Sequence, residues 1–236
     1  MTAKLHVLCA GAVHGLVKDV QARFMAQTGA EIDGRFGAVG AMKEALMGGV
    51  PCDVLIVTDA MLRALHGNGA IDGDTSMVVG RVRTGIAVRE GEAIPAFGTT
   101  EALKAAFVAA PAIYLPDTEK STAGAHVASV LARLGLRDTV ASKLAVFANG
   151  ATAMNSLANR GVPGSIGCTQ VTEILCTPFL VLAGVLPDPY GLSTTYSAGV
   201  SKTSNDPTLA ARFIALLCGP ETAALRRDGG FEPLDP

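Results

Sequence analysis

Four short stretches hold residues suited to gripping a negatively charged molecule. Gly11-Ala12-Val13-His14 follows the apolar run Leu5–Ala10, and Gly37-Ala38-Val39-Gly40 follows the extended run Glu31–Phe36. Further on, Lys120-Ser121-Thr122 opens a helical pattern after Ile113–Leu115, and Thr169-Gln170 closes the run that begins at Ser165. Small residues let a ligand come close to the main chain. A helix start adds N–H groups without intrahelical partners and the positive end of the helix dipole. The chemistry that follows is anion capture. The expected contacts are Gly11, Ala12, Val13, Ala38, Val39, Ser121, Thr122, Thr169 and Gln170, with Arg35 pointing either at the ligand or at solvent. His14 is a ligand contact, a general base or an ordinary packed histidine. His126 reads as structural, Glu173 as a base or a local cap, and Asp53 as a turn-stabilising acid.

The elements that must position these stretches alternate. Extended runs are read at Leu5–Ala10, Glu31–Phe36, Asp53–Thr58, Val78–Arg89, Ile113–Leu115, Leu144–Ala148, Ser165–Thr169, Phe179–Leu186 and Ser193–Ser201. Helical spacing of apolar residues falls at 12–28 (Leu16, Val20, Phe24, closed by Gly29), 41–47, 59–66, 100–110, 123–134, 151–159, 206–217 and 221–227. Asp206-Pro207 places proline at a first helical position. DVLIVT at 53–58 is apolar enough to be a central parallel strand. Strand–helix alternation predicts an α/β fold with parallel strands and right-handed crossovers. The rhythm repeats once around a long strand. It predicts one lobe of residues 1–80 plus 200–236 and another of 81–199, joined by strands near 78–89 and 193–201, with mixed sheets and a ligand cleft between the lobes.

Composition narrows the function. Among 236 residues, 19 Lys and Arg face 21 Asp and Glu, giving a net charge of −2. With no basic block, nucleic acid is not an expected partner. Aromatics are scarce and tryptophan is absent, which argues against stacking platforms for bases or sugars. Mean hydropathy is positive, +0.38, yet no run reaches the roughly 18–20 apolar residues of a membrane span. The five cysteines have no CxxC spacing and sit in apolar runs. They are expected to be free and buried, and together with the absence of a leader pattern they favour a cytoplasmic chain over a periplasmic one. The four histidines stand apart, so no metal site is expected, and no cofactor is implied.

Several motifs carry a family resemblance over nearly the whole chain. These are Val7–Val13, Gly49-Val50-Pro51-Cys52-Asp53-Val54-Leu55 (pattern G-x-P-A-D), Asp117–Gly124 with a helix ending Leu134-Gly135-Leu136, and Gly161–Gly167. In order and separation they resemble the molybdate-binding receptors of ABC transporters, within the class 2 periplasmic-binding-protein fold. That family holds its oxyanion with serine hydroxyls in the first two turns and a tyrosine after the later strand. Here those places hold Ala12, Ala38 or Val39, and Gln170, and each lost charge-assisted hydrogen bond is worth ~1.5–3 kcal/mol. The resemblance, read through its aconitate-isomerase-like subset, implies a small di- or tricarboxylate ligand and a proton shift that moves a double bond. His14 or Lys120 would be the acid/base group, with Lys120, Ser121, Thr122 and Arg35 clamping carboxylates. The alternative is the substrate receptor of a molybdate-type or organic-anion transporter, which would pair with an ABC permease if exported. A ligand-sensing regulatory domain is a third reading, without a helix-turn-helix segment to support it. The chain is expected to be a monomer or weak dimer.

Overall fold

A computed structural model describes residues 3–232. The strands are β1 (Lys4–Ala10), β2 (Glu31–Gly37), β3 (Val54–Thr58), β4 (Ile71–Arg89), β5 (Ile113–Pro116), β6 (Leu144–Phe147), β7 (Ile166–Gln170), β8 (Leu180–Val185) and β9 (Ser193–Ser201). The helices are α1 (His14–Thr28), α2 (Val39–Met47), α3 (Asp59–Gly67), α4 (Thr100–Ala109), α5 (Thr122–Arg133), α6 (Arg137–Val140), α7 (Gly150–Arg160), α8 (Val171–Leu175), α9 (Pro207–Cys218) and α10 (Ala223–Asp228). The chain divides into two compact units, one of Met1–Val82 with Thr194–Pro236 and one of Arg83–Ser193. No single helix among the described residues is long and apolar enough to cross a membrane.

In the first unit, β1 lies parallel between β2 and β3, and β3 runs antiparallel to β9. Leu55, Ile56 and Val57 are fully buried, and burying each such side chain contributes about 1.5–3 kcal/mol. That is why DVLIVT sits inside a sheet. Asp53 stitches the unit's discontinuous parts together: its carboxylate accepts from the His6 N–H (2.8 Å), the Ser204 hydroxyl (2.8 Å) and the Asn205 N–H (2.9 Å). In the second unit, β5 lies parallel between β6 and β7, and β4 runs antiparallel to both β7 and β8. Its core has two sides. Ile86, Leu103, Phe107, Val127 and Val130 lie on one, and Ala87, Ala153, Met154 and Leu157 on the other.

The structure corrects several expected boundaries. Strand β4 begins at Ile71, not Val78; its first half, IDGDTSM, is polar apart from Ile71 and Met77, so it carries no apolar alternation. Gly37–Gly40 is not a turn throughout, because α2 already starts at Val39. Short α6 and α8 were not anticipated, being too brief to show a period. Of the cysteines, Cys9, Cys52 and Cys168 are buried and Cys218 half-buried, but Cys176 is exposed; none forms a disulfide.

Candidate functional site

Parallel strands put the helix starts that follow them along one edge of a sheet. In the first unit, Ala10 at the end of β1 is in register with Gly37 at the end of β2. The two stretches Gly11–His14 and Gly37–Gly40 are therefore neighbours. Gly11, Ala12, Val13, Ala38 and Val39 are all buried.

The way the helices are capped separates these two starts from the rest. Thr58 caps α3, Thr99 caps α4, Ser121 caps α5, Asn149 caps α7 and Asp206 caps α9, each accepting a main-chain N–H from the first turn. Neither the 3-10 turn Gly11–Val13 leading into α1 nor the start of α2 has a side-chain cap. Among the described helices of nine residues or more, these are the two without one. Buried donors need partners, so two adjoining uncapped starts present main-chain N–H groups, at the positive ends of their helices, that no side-chain cap satisfies.

His14 is the first residue of α1, half-buried, with its ring 4.1 Å from that of Phe36 and tilted by 37°. Burial, and then the Lys18 charge, lower its pKa from the ordinary 6.5. It is neutral at pH 7 and able to accept a proton. The sign follows: the fold favours the uncharged ring, so the stability His14 contributes is present above pH 6.5 and is lost as pH falls towards the folded midpoint. Followed by the ring NMR signals, that midpoint is expected below 6.5 in the free protein. Arg35 is exposed on edge strand β2.

In the second unit, Tyr114 of β5 is in register with Gly167 of β7, so the starts of α5 and α8 share an edge. Ser121 is the α5 cap, its Oγ accepting from the Gly124 N–H at 3.4 Å. That bond engages the hydroxyl oxygen as an acceptor, and its O–H is still a donor. Thr122 is half-buried and Lys120 exposed. The Asp117 carboxylate accepts from the Lys120 N–H (2.7 Å) and the Glu119 N–H (2.8 Å), and these two bonds hold its pKa below the usual range. Gly124 packs so closely on the end of β5 that a Cβ there would run into the carbonyl oxygens of Asp117 and Pro116.

Thr169 and Gln170 end β7, both buried. The Thr169 hydroxyl donates to Glu173 Oε2 at 2.5 Å. Sequence reasoning read Glu173 as a local cap or a base; the structure shows the local partnership but adds that the Ala151 N–H, on α7, also reaches it. His126 lies along α5 with Nε2 2.8 Å from the Tyr190 carbonyl oxygen. The cap distribution is the feature sequence reasoning missed. Its signal was present, since Ala10 and Ala38 stand where the five other helices of nine residues or more have Ser, Thr, Asn or Asp. Among the described residues no group of three His, Cys, Asp or Glu side chains could hold a metal ion.

Strand order, the parallel helix starts and the two strands that carry the chain between units define an α/β solute-binding fold of the periplasmic-binding-protein class. Residues 5–232 match the bacterial extracellular solute-binding protein family, and the chain belongs to it. It is similar to the periplasmic molybdate-binding protein of Azotobacter vinelandii at 17% identity and a TM-score of 0.80, covering 98% of this chain and 100% of that one. The sulfate-binding protein of Mycobacterium tuberculosis is similar at 16% identity and a TM-score of 0.78, covering 99% and 88%. By sequence the chain is 24% identical to aconitate isomerase of a Pseudomonas species over 236 residues, covering 98% of this chain and 88% of the relative.

Proposed function

We propose that this protein binds a small anion of the di- or tricarboxylate class through main-chain N–H groups, and shifts a double bond in that acid by moving a proton. The observation that carries the binding is the pair of adjoining, buried, uncapped starts of α1 and α2. Ala12, Ala38 and Val39 supply no hydroxyl there. The site lacks the side-chain donors a doubly charged, strongly hydrated oxyanion needs, whereas a carboxylate is well served by two main-chain N–H groups. The similarity to an aconitate isomerase supports the chemistry. So does a neutral His14 beside the α1 start, in the protonation state of a general base.

A second reading is a receptor that hands a solute to an ABC permease. The periplasmic molybdate-binding neighbour favours it. One set of measurements separates the two. In thermal-shift titrations with cis-aconitate, trans-aconitate, citrate, molybdate, tungstate and sulfate, a carboxylate is expected to stabilise most; a ligand at about 100 times its Kd adds ~2.7 kcal/mol. A dominant molybdate shift would overturn the carboxylate assignment. Incubation with cis-aconitate in deuterated water is expected to yield deuterated trans isomer, and tight binding without turnover leaves the receptor.

A further inference from the structure

Among the described residues, His14 is the one of the four histidines whose ring has no polar partner. His66 Nδ1 lies 3.3 Å from the Ile71 carbonyl oxygen, His126 Nε2 2.8 Å from that of Tyr190, and His6 Nδ1 3.6 Å from the Asp33 carboxylate. A hydrogen bond to one nitrogen is the usual way an imidazole is aimed. For His14 the main chain is fixed instead, its N–H donating to the Gly11 carbonyl oxygen, and the imidazole rests on the ring of Phe36 with centroids 4.1 Å apart.

Phe36 takes that place because of Gly34. The two lie on one face of edge strand β2, and a Cβ on Gly34 would overlap the Phe36 ring at Cζ and Cε2. A glycine inside a strand weakens it and lets another group come close; here the outer end of the Phe36 ring, folded back along the strand, fills the space. Charged groups on the neighbouring elements are turned elsewhere. Glu31, Asp33 and Arg35 alternate onto the opposite face of β2. Arg212 of α9 bonds the Gln27 carbonyl and Glu221 pairs with Arg23, roughly 13 Å or more along α1. Arg226 of α10 bonds the Leu217 and Gly219 carbonyls, and Arg227 pairs with Asp228. Lys18, one turn along α1, is the charge that acts on His14.

We propose that Phe36, lodged against Gly34, is the positioning residue for the His14 imidazole in the proton shift. The assignment rests on the proton-shift reading above and names what aims its base. In that shift the imidazole takes a proton from the saturated carbon, and the C–H electron pair becomes the new double bond. The old double-bond pair then recovers the proton from the imidazolium at the far carbon, so the ring ends neutral. Support from a ring face, unlike a hydrogen bond, leaves both nitrogens uncommitted, and no carboxylate beside His14 favours its charged form.

The test combines the pH profile of cis-aconitate isomerisation with NMR titration of the His14 ring in wild type, Phe36→Ala, Phe36→Tyr and Gly34→Ala. Phe36→Ala is expected to lower kcat about tenfold with KM within about twofold, as for a group misplaced in the transition state. With the imidazole uncovered, its midpoint and the acid limb of kcat/KM are expected to rise together towards 6.5. Phe36→Tyr keeps the ring face and is expected to keep both. In Gly34→Ala the new Cβ meets only the outer end of a side chain that can rotate away. Its melting temperature is expected to stay near that of wild type while kcat and the acid limb move as in Phe36→Ala. A wild-type profile in Phe36→Ala would overturn the proposal, and so would one in Gly34→Ala, which decides the matter if Phe36→Ala does not fold. A lower kcat with the ring midpoint unmoved would overturn it too. If wild type leaves cis-aconitate unchanged, the proton-shift reading fails and the proposal with it, a result read from wild type alone.

Discussion

Ala38→Asp is expected to leave the protein folded, at unchanged or slightly higher stability, and to weaken anion binding about a hundredfold. Ala38 occupies the cap position of α2 with φ −63° and ψ 149°, the extended geometry from which an Asp oxygen reaches the N–H groups of the first turn. A cap of this kind contributes ~0.5–2 kcal/mol to a helix, less what it costs to bury the new carboxylate at a 6% exposed position. The same carboxylate takes the donors that the ligand needs and repels it. Two unit charges about 5 Å apart at an effective dielectric of about 20 repel by ~3 kcal/mol. Stability and binding thus move in opposite directions, which damage to the fold would not produce. Ala38→Asn caps without charge and is expected to lose less affinity. Thermal melts paired with the ligand titrations check all three proteins, and an Ala38→Asp variant that binds like wild type would remove the α2 start from the site.

Gly124→Ala carries the largest expected loss of stability, ~2–4 kcal/mol in chemical denaturation. The atoms a Cβ would strike are the main-chain carbonyls of Pro116 and Asp117, which cannot rotate away as a side chain would. Relief requires α5 to shift from β5, and with it Val127, Val130 and Leu131, which lie in the core on that side. A Gly124→Ala protein as stable as wild type would mean that α5 does not seat on the strand end as described. Gly29, by contrast, has φ 71° with nothing near its missing side chain. There alanine suffers from backbone conformation alone, a milder penalty.

Much of the fold was legible because its signals are local. The alternation of apolar runs and helical spacing, Gly29 after α1 and Asp206-Pro207 before α9 each act within a few residues. The first half of β4 was not, because its residues are mostly polar, without apolar alternation, and its strand geometry comes from pairing with distant segments. The candidate site divides in the same way. That small residues follow β1 and β2 can be read directly from the chain. That the Thr169 hydroxyl donates to Glu173 four residues on cannot, since Thr169 ends a strand and Glu173 lies in α8, which is too short to show a helical period. The contact between Ala151 and Glu173 was hidden because the two meet only where α7 packs on β7 and α8.

The two units differ in how they are assembled from the chain. The second is one uninterrupted segment, and the Thr84 N–H donates to the Leu192 carbonyl oxygen at 3.0 Å, so its two ends are fastened to each other. The first is split, with β9 the last strand of its sheet to be made. During synthesis from the N-terminus, β3 has an open hydrogen-bonding edge until more than a hundred later residues have emerged. The intervening segment, meanwhile, already contains every partner its own sheet requires.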